Sequence, residues 1–435
     1  MADNDIYNSK PKYEYIRDHL DDYAKPPRPG FEGKGRNRRF WIKNPANVQY
    51  IRKFLGTATW KGLFDARDTS YIRRLRLFRT MLMAGHFIQK DFKDAEREDV
   101  DQIVGFANDH NRSPKTKRDF IIDLKFIWKQ LFPERDEKGR IDETLIPYAV
   151  RHLSSKIDKS KERMRGDKFS LQEFERLLKA FGDDPRMQCL LTVALESLAR
   201  PQELLGRRIR NVELFDNYAK IYITEHGKEG IGFLRVIDSY PYLARWLGVH
   251  PLRDDPDAFL FINTGRMNQY QQLKPFAAAK LLRTRASTIG IHKPLTLYSL
   301  KRNGITLMRL AGRSDLDIQH TARWTSTKQL KTYDLSNQEE SFKIELIKRG
   351  RIKADKAHEE FTPTSKTCTF CGTENGMADT FCTTCKRPLN REAIELEAKE
   401  QEEKFRLINE QLANLMNKQE QMENKIETMP AAMTR

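Results

Sequence analysis

The sequence predicts a mainly α-helical chain with one small β-hairpin, an α+β class assembled from several parts. Three observations predict it. Apolar residues recur at helical spacing through residues 46–155 and again through much of 169–349. One strand–turn–strand pattern interrupts them between Tyr218 and Ile237. The last part of the chain carries two Cys-x-x-Cys pairs and then a long segment poor in turn formers. A length of 435 residues suits two or three domains with accessory segments.

The net charge is +17, and 32% of residues are charged. Such a field suggests an anionic polymer as partner, DNA or RNA ahead of a membrane surface. The plainer alternative is a basic protein kept soluble by its charge. No run of about eighteen apolar residues is present, which argues against a membrane span. The N-terminus, MADNDIYNSK, lacks an apolar signal core, so a cytoplasmic, nucleoid-associated location is expected.

Residues 1–45 read as a flexible basic arm, rich in Pro, Gly and charge, with the cluster Lys34 to Arg39 running into Phe40-Trp41. Residues 46–155 read as a small basic helical domain. Its helices are expected at Asn47–Leu55, Tyr71–Phe87, Asp99–His110 and Thr116–Phe132. Arg73, Arg74, Arg76 and Arg79 interleave with the apolar face of the second, suggesting a polyanion surface. Residues 156–168 are a charged linker.

A domain over 169–349 opens at the capping-box pattern Ser170-Leu-Gln-Glu173. The apolar helix Asp184–Leu198 carries Cys189, read as a core thiol. Strands Tyr218–Thr224 and Gly232–Ile237 flank a turn with Lys228. Helices follow at Lys274–Ile289, Tyr298–Ala311, Asp315–Arg323 and Lys328–Tyr333. A linker spans 350–365. In the segment 366–390, Cys368, Cys371, Cys382 and Cys385 have the short-knuckle spacing of a zinc ribbon, and four thiolates make a closed structural site. Over 391–429, Phe405, Ile408, Leu412, Leu415, Met422, Ile426 and Met429 alternate at three and four residues, with Gln419 in the one polar slot. That pattern predicts a coiled coil; a single helix docked on the body is the alternative.

The chemistry centres on Tyr333, a tyrosine among polar and cationic neighbours, with Trp324 nine residues before it and Lys328 and Lys331 between. With Ala199-Arg200-Pro-Gln-Glu203-Leu204, Lys228 in the hairpin, and these two aromatics in this order and spacing, residues 46–345 resemble the tyrosine recombinase family of phage integrases and Xer-like proteins. That family uses an arginine in A-R-x-x-E-L, a hairpin lysine, an H-x-x-R box, and a His or Trp nine residues before a nucleophilic tyrosine.

The resemblance implies a helical core-binding domain followed by a catalytic domain, and a site-specific recombinase that works as a tetramer on paired double-stranded DNA sites. It implies that Tyr333 attacks a backbone phosphate to give a 3′-phosphotyrosyl intermediate, with no metal needed for cleavage. Arg200 would grip two phosphate oxygens. Lys228 would protonate the leaving 5′-oxygen, Glu203 would orient the site, and Trp324 would donate its indole N–H. The departure lies in Tyr298-Ser-Leu-Lys301-Arg302, where Tyr298 takes the His place and Lys301 the second Arg place. A lysine keeps the charge but loses the fork. Three readings stay open: Lys301 serves as the second cation, a shifted helix presents Arg302, or the chain is a catalytically impaired DNA-binding regulator or adaptor. A topoisomerase-like activity shares the same chemistry. The zinc-ribbon fusion and the Tyr298 variant look similar to archaeal members of the family.

Overall fold

The computed structural model describes residues 5–31, 39–57, 61–66, 69–109, 113–142, 144–156, 166–224, 230–352 and 362–427. The chain divides into two compact units, Met1–Arg165 and Gly166–Arg435.

The first unit is helical: α1 Ser9–Asp18, α2 Val48–Leu55, the single turn α3 Leu63–Ala66, α4 Tyr71–Phe87, α5 Arg97–Asp109, α6 Pro114–Leu131 and the short α7 Tyr148–Arg151. Its core gathers Ile51, Phe54, Leu77, Met81, Ile103, Leu124, Ile127 and Trp128. Two findings correct the sequence reading. Part of the supposed flexible arm is structured: α1 and a 3₁₀ turn at Leu20–Ala24 pack on this core through Tyr13 and Leu20. The Tyr13 hydroxyl donates to the Leu55 carbonyl at 2.6 Å. The basic cluster at 34–38 lies outside the described residues. The arginines of α4 also divide. Arg74 is buried, pairs with Asp65, and sits over the rings of Tyr13 and Tyr71. Arg76 pairs at 2.7 Å with buried Asp123, whose burial raises its carboxyl pKa against the pull of that arginine. Only Arg73 and Arg79 keep their charge exposed without such a carboxylate partner among the ion pairs described.

The second unit opens with α8 Leu171–Ala180, whose Ser170–Glu173 capping box forms as expected. Next come α9 Pro185–Glu196 and the short α10 Pro201–Leu205. Cys189 is fully buried on α9, and burial pushes its thiol pKa up. A three-stranded antiparallel sheet follows in the order β1 Val212–Leu214, β2 Ala219–Ile223, β3 Gly232–Val236. Register runs from Ala219 opposite Val236 to Ile223 opposite Gly232. The hairpin is therefore as expected, with β1 added on its edge. Then come α11 Tyr240–Gly248, α12 Pro275–Thr288, α13 Leu297–Leu310, α14 Asp315–Ala322, α15 Leu330–Tyr333 and α16 Gln338–Lys348.

α13 crosses α9 at very close range. A Cβ on Gly304 would lie 2.2 Å from the Leu195 carbonyl oxygen, so only glycine lets the two backbones meet. The same helix is tied at both flanks. Asn303 accepts from the Phe169 N–H at 2.8 Å, and the Thr306 hydroxyl accepts from the Leu335 N–H at 2.9 Å.

A two-stranded knuckle, β4 Lys366–Thr367 with β5 Glu374–Asn375, carries the four cysteines. It docks on α11. The Ala378 N–H donates to the Tyr242 hydroxyl at 2.9 Å, Arg245 pairs with Asp379 at 2.6 Å, and Met377 and Ala378 join the core of this unit. The last helix, α17 Arg391–Glu427, runs for 37 residues. No described helix is long and apolar enough to cross a membrane.

Gly304→Ala is expected to destabilise the second unit by roughly 3 kcal/mol through overpacking against backbone. Chemical denaturation of the full chain, following a probe in that unit, checks this.

Candidate active site

Pro201 follows Arg200 and keeps it out of the helical region, so Arg200 lies extended at φ −75°, ψ 151° as the residue before α10. Its N–H donates to Glu203 Oε2 at 2.7 Å. The second oxygen of that carboxylate, Oε1, lies 3.6 Å from Arg200 Nη1 and 2.8 Å from Arg323 Nη2. Glu203 is thus a buried acid shared by two guanidinium groups from distant parts of the chain.

Arg323 is the residue that the sequence reading passed over. It stands just past the end of α14 in the left-handed conformation, φ 56°, ψ 37°. That is the place where helices favour glycine, and a side chain there costs roughly 1–2 kcal/mol. Its stem packs over the start of β3: a Cβ on Gly232 would lie 3.3 Å from Arg323 Cδ. The only sequence signal was a non-glycine at a helix stop immediately before Trp324.

Trp324 and Tyr333 come together on a small apolar patch formed by Leu198, Ile305, Ile318, Ala322 and Leu330. Their ring centroids are 5.4 Å apart. A 3₁₀ turn at Thr327–Gln329 leads into α15, with Tyr333 half-buried at its end. The following segment is pinned to α13 by Arg309, which pairs with Asp334 at 2.7 Å. The Lys301 ammonium lies 5.4 Å from the Trp324 centroid and 5.5 Å from that of Tyr333, in a fully buried position. Trp324 is 5% exposed, and its indole Nε1 is buried with no hydrogen-bond partner among the described residues. An orphan N–H in that setting is a donor waiting for an acceptor.

The structure thus brings Arg200, Glu203, Lys301, Trp324 and Tyr333 into one connected set. Arg302 goes elsewhere. It pairs with buried Asp167 and reaches Ser299. Adjacent residues on a helix point about 100° apart, so a helix that presents Lys301 to the two rings turns Arg302 away. Tyr298 is half-buried, one turn before Lys301. Lys228, with residues 225–229, lies outside the described residues.

In the knuckle, the ligand atoms of Cys368, Cys371, Cys382 and Cys385 all lie within 4.8 Å of one another. The Cys368–Cys385 and Cys371–Cys382 sulfur separations are 3.6 and 3.5 Å. A tetrahedral zinc ion about 2.3 Å from each thiolate sets the sulfurs roughly 3.8 Å apart, so the residues fit it. The set has no open ligand position, and its chemistry is structural.

A mainly helical unit with a three-stranded sheet, whose arginine, tryptophan and tyrosine converge from distant segments, is the fold of a tyrosine recombinase catalytic domain. Residues 168–340 match the phage integrase family model. No curated protein matches the chain. Among solved structures, it is similar to the XerH site-specific recombinase bound to palindromic difH substrate in a post-cleavage complex. There the identity is 14% and the TM-score 0.50, over 71% of this chain and 90% of that one. It is also similar to a lambda integrase dimer bound to a COC′ core site, at 12% identity and TM-score 0.50, over 66% of this chain and 75% of that one. At such identities the likeness is one of fold.

Two outcomes follow from this geometry. Arg302→Ala strands buried Asp167 and should cost about 3 kcal/mol in chemical denaturation. The full chain should carry one zinc ion by native mass spectrometry. Cys382→Ser should lose that ion and lower Tm, because the knuckle shares Met377 and Ala378 with the core.

Proposed function

We propose that this chain is a site-specific DNA recombinase that cuts and rejoins strands through Tyr333. The observation that carries the reading is the contact set of Lys301, Trp324 and Tyr333, joined through Arg323, the neighbour of Trp324, to the Glu203 carboxylate that Arg200 shares. The Tyr333 oxygen attacks a backbone phosphorus, the bond to the 5′-oxygen breaks, and a phosphotyrosyl link at the 3′ end conserves the bond energy for rejoining. The phenol gives up its proton and the leaving 5′-oxygen takes one, with Lys228 the donor that the family pattern suggests. Arg200 and Lys301 face the negative charge that grows on the phosphate, and a preorganised donor of this kind is worth about 3–4 kcal/mol of barrier. Lys301, rather than Arg302, is the second cation in this reading.

DNA is the partner. The net charge of +17 supports it, and the similar XerH and lambda integrase structures are bound to a palindromic difH substrate and to a COC′ core site. The zinc knuckle takes no part in cleavage. Phe405, Ile408, Leu412, Leu415 and Met422 form an apolar stripe on α17, each more than half exposed. A second copy of the same helix is the occupant this reading assigns to it, as a coiled coil with Gln419 in the seam.

Two experiments test these statements. The full chain is mixed with a library of randomised duplexes, each carrying one nick, and DNA that stays attached through detergent is recovered. Wild type should yield adducts mapping to the Tyr333 peptide, and Tyr333→Phe should yield none. Specific binding without any adduct would instead establish a non-catalytic regulator. Separately, Leu412→Asp with Leu415→Asp should halve the mass of the chain in sedimentation without altering adduct yield on a single site.

A further inference from the structure

We infer that Arg323 is a phosphate-binding residue of this site, closing with the Trp324 indole around an oxygen of the phosphate under attack. The inference rests on the recombinase reading and adds a second guanidinium to it.

Four observations converge. The Arg323 guanidinium is nearly buried and reaches the same Glu203 oxygen as Arg200, so both forks are gathered at one acid. Its Nη1 is buried with no hydrogen-bond partner among the described residues. Its neighbour Trp324 carries a second orphan N–H, on a side chain 95% buried by its 5% exposure. Finally, the backbone of Arg323 is left-handed, where glycine would relieve strain. A long cation kept at such a position, with unfilled donors beside it, fits a side chain needed for a ligand.

The ligand class follows from the donors. A buried guanidinium fork and an indole N–H offer hydrogens only, so the acceptor is an anion with several oxygens. Lys301 lies against the Trp324 and Tyr333 rings as a point charge. One carboxylate between two guanidinium groups leaves the cluster with a net positive charge. That surplus suits a phosphodiester, whose charge grows as the tyrosine oxygen adds to phosphorus.

The test compares wild type, Arg323→Gly, Arg323→Lys and Tyr333→Phe as full chains. Inorganic phosphate is the probe, titrated by phosphorus NMR line width, with Tm measured alongside. Arg323→Gly relieves the strained backbone but takes one of two cations from buried Glu203, so Tm should fall; in the folded protein it should weaken phosphate binding at least 10-fold. Arg323→Lys should recover part of that loss, and Tyr333→Phe should bind phosphate like wild type. On the nicked library, Arg323→Gly should slow adduct formation by about 100-fold, as removal of one preorganised donor does. Unchanged phosphate affinity in Arg323→Gly, with or without a fall in Tm, overturns the inference. Adducts formed by Arg323→Gly as fast as by wild type overturn it too, while leaving the recombinase reading standing. If wild type forms no adduct, that reading fails, and the phosphate titration alone decides the role of Arg323.

Discussion

One buried carboxylate sets the geometry on which the site depends. Glu203 caps the N–H of Arg200 through one oxygen and touches two guanidinium groups through the other. An acid in that position, stripped of water, is tolerable only with both cations present. The converse also holds: two arginines brought together without it would repel. Glu203 therefore fixes the start of α10 against the residue that ends α14, segments separated by more than a hundred positions in the chain. Pro201 contributes by keeping Arg200 extended, so that its fork leaves the helix axis and meets the acid.

The second constraint is α13, where successive side chains serve different neighbours. Lys301 lies against the Trp324 and Tyr333 rings. Arg302 binds Asp167, and Asn303 bonds to the chain around Asp167 and Phe169. Gly304 admits the Leu195 carbonyl, and Thr306 takes the N–H that follows the tyrosine helix by two residues. A helix assigns each residue a direction 100° from the last, so these duties cannot be exchanged. Lys301 consequently has a defined place against the two rings, while its neighbours on the helix keep the fold.

Much of this was legible in the sequence because it depends on spacing. Helical periodicity located α2, α4, α5 and α6 to within a few residues, and alternation located the hairpin. Arg200, Trp324 and Tyr333 stood out because a motif and a nine-residue interval are one-dimensional facts. What escaped depends on partners far away in the chain. Seeing that Arg302 is taken up by an ion pair required Asp167. Recognising that Arg74 and Arg76 serve the first unit internally required Asp65 and Asp123. Tyr13 looked like part of a loose leader because its partner, the Leu55 carbonyl, is 42 residues on. Arg323 was hidden for a different reason: its significance is conformational, and no composition marks a left-handed arginine.

The zinc knuckle extends the same logic to the end of the chain. A Cβ on Gly376 would come within 2.2 Å of the Tyr242 ring, so the knuckle backbone lies flat against that aromatic. Arg245 and Asp379 lock the contact with a partly buried ion pair. These features make the knuckle part of the second unit's core rather than a bead on a linker. They also anchor the root of α17, where Ala393 is buried and its N–H donates to Asn390 at 2.9 Å. A 37-residue helix rises about 1.5 Å per residue, roughly 55 Å in all. Its base is seated on the second unit through the knuckle. Beyond that base, Phe405, Ile408, Leu412, Leu415 and Met422 stay exposed along one helix.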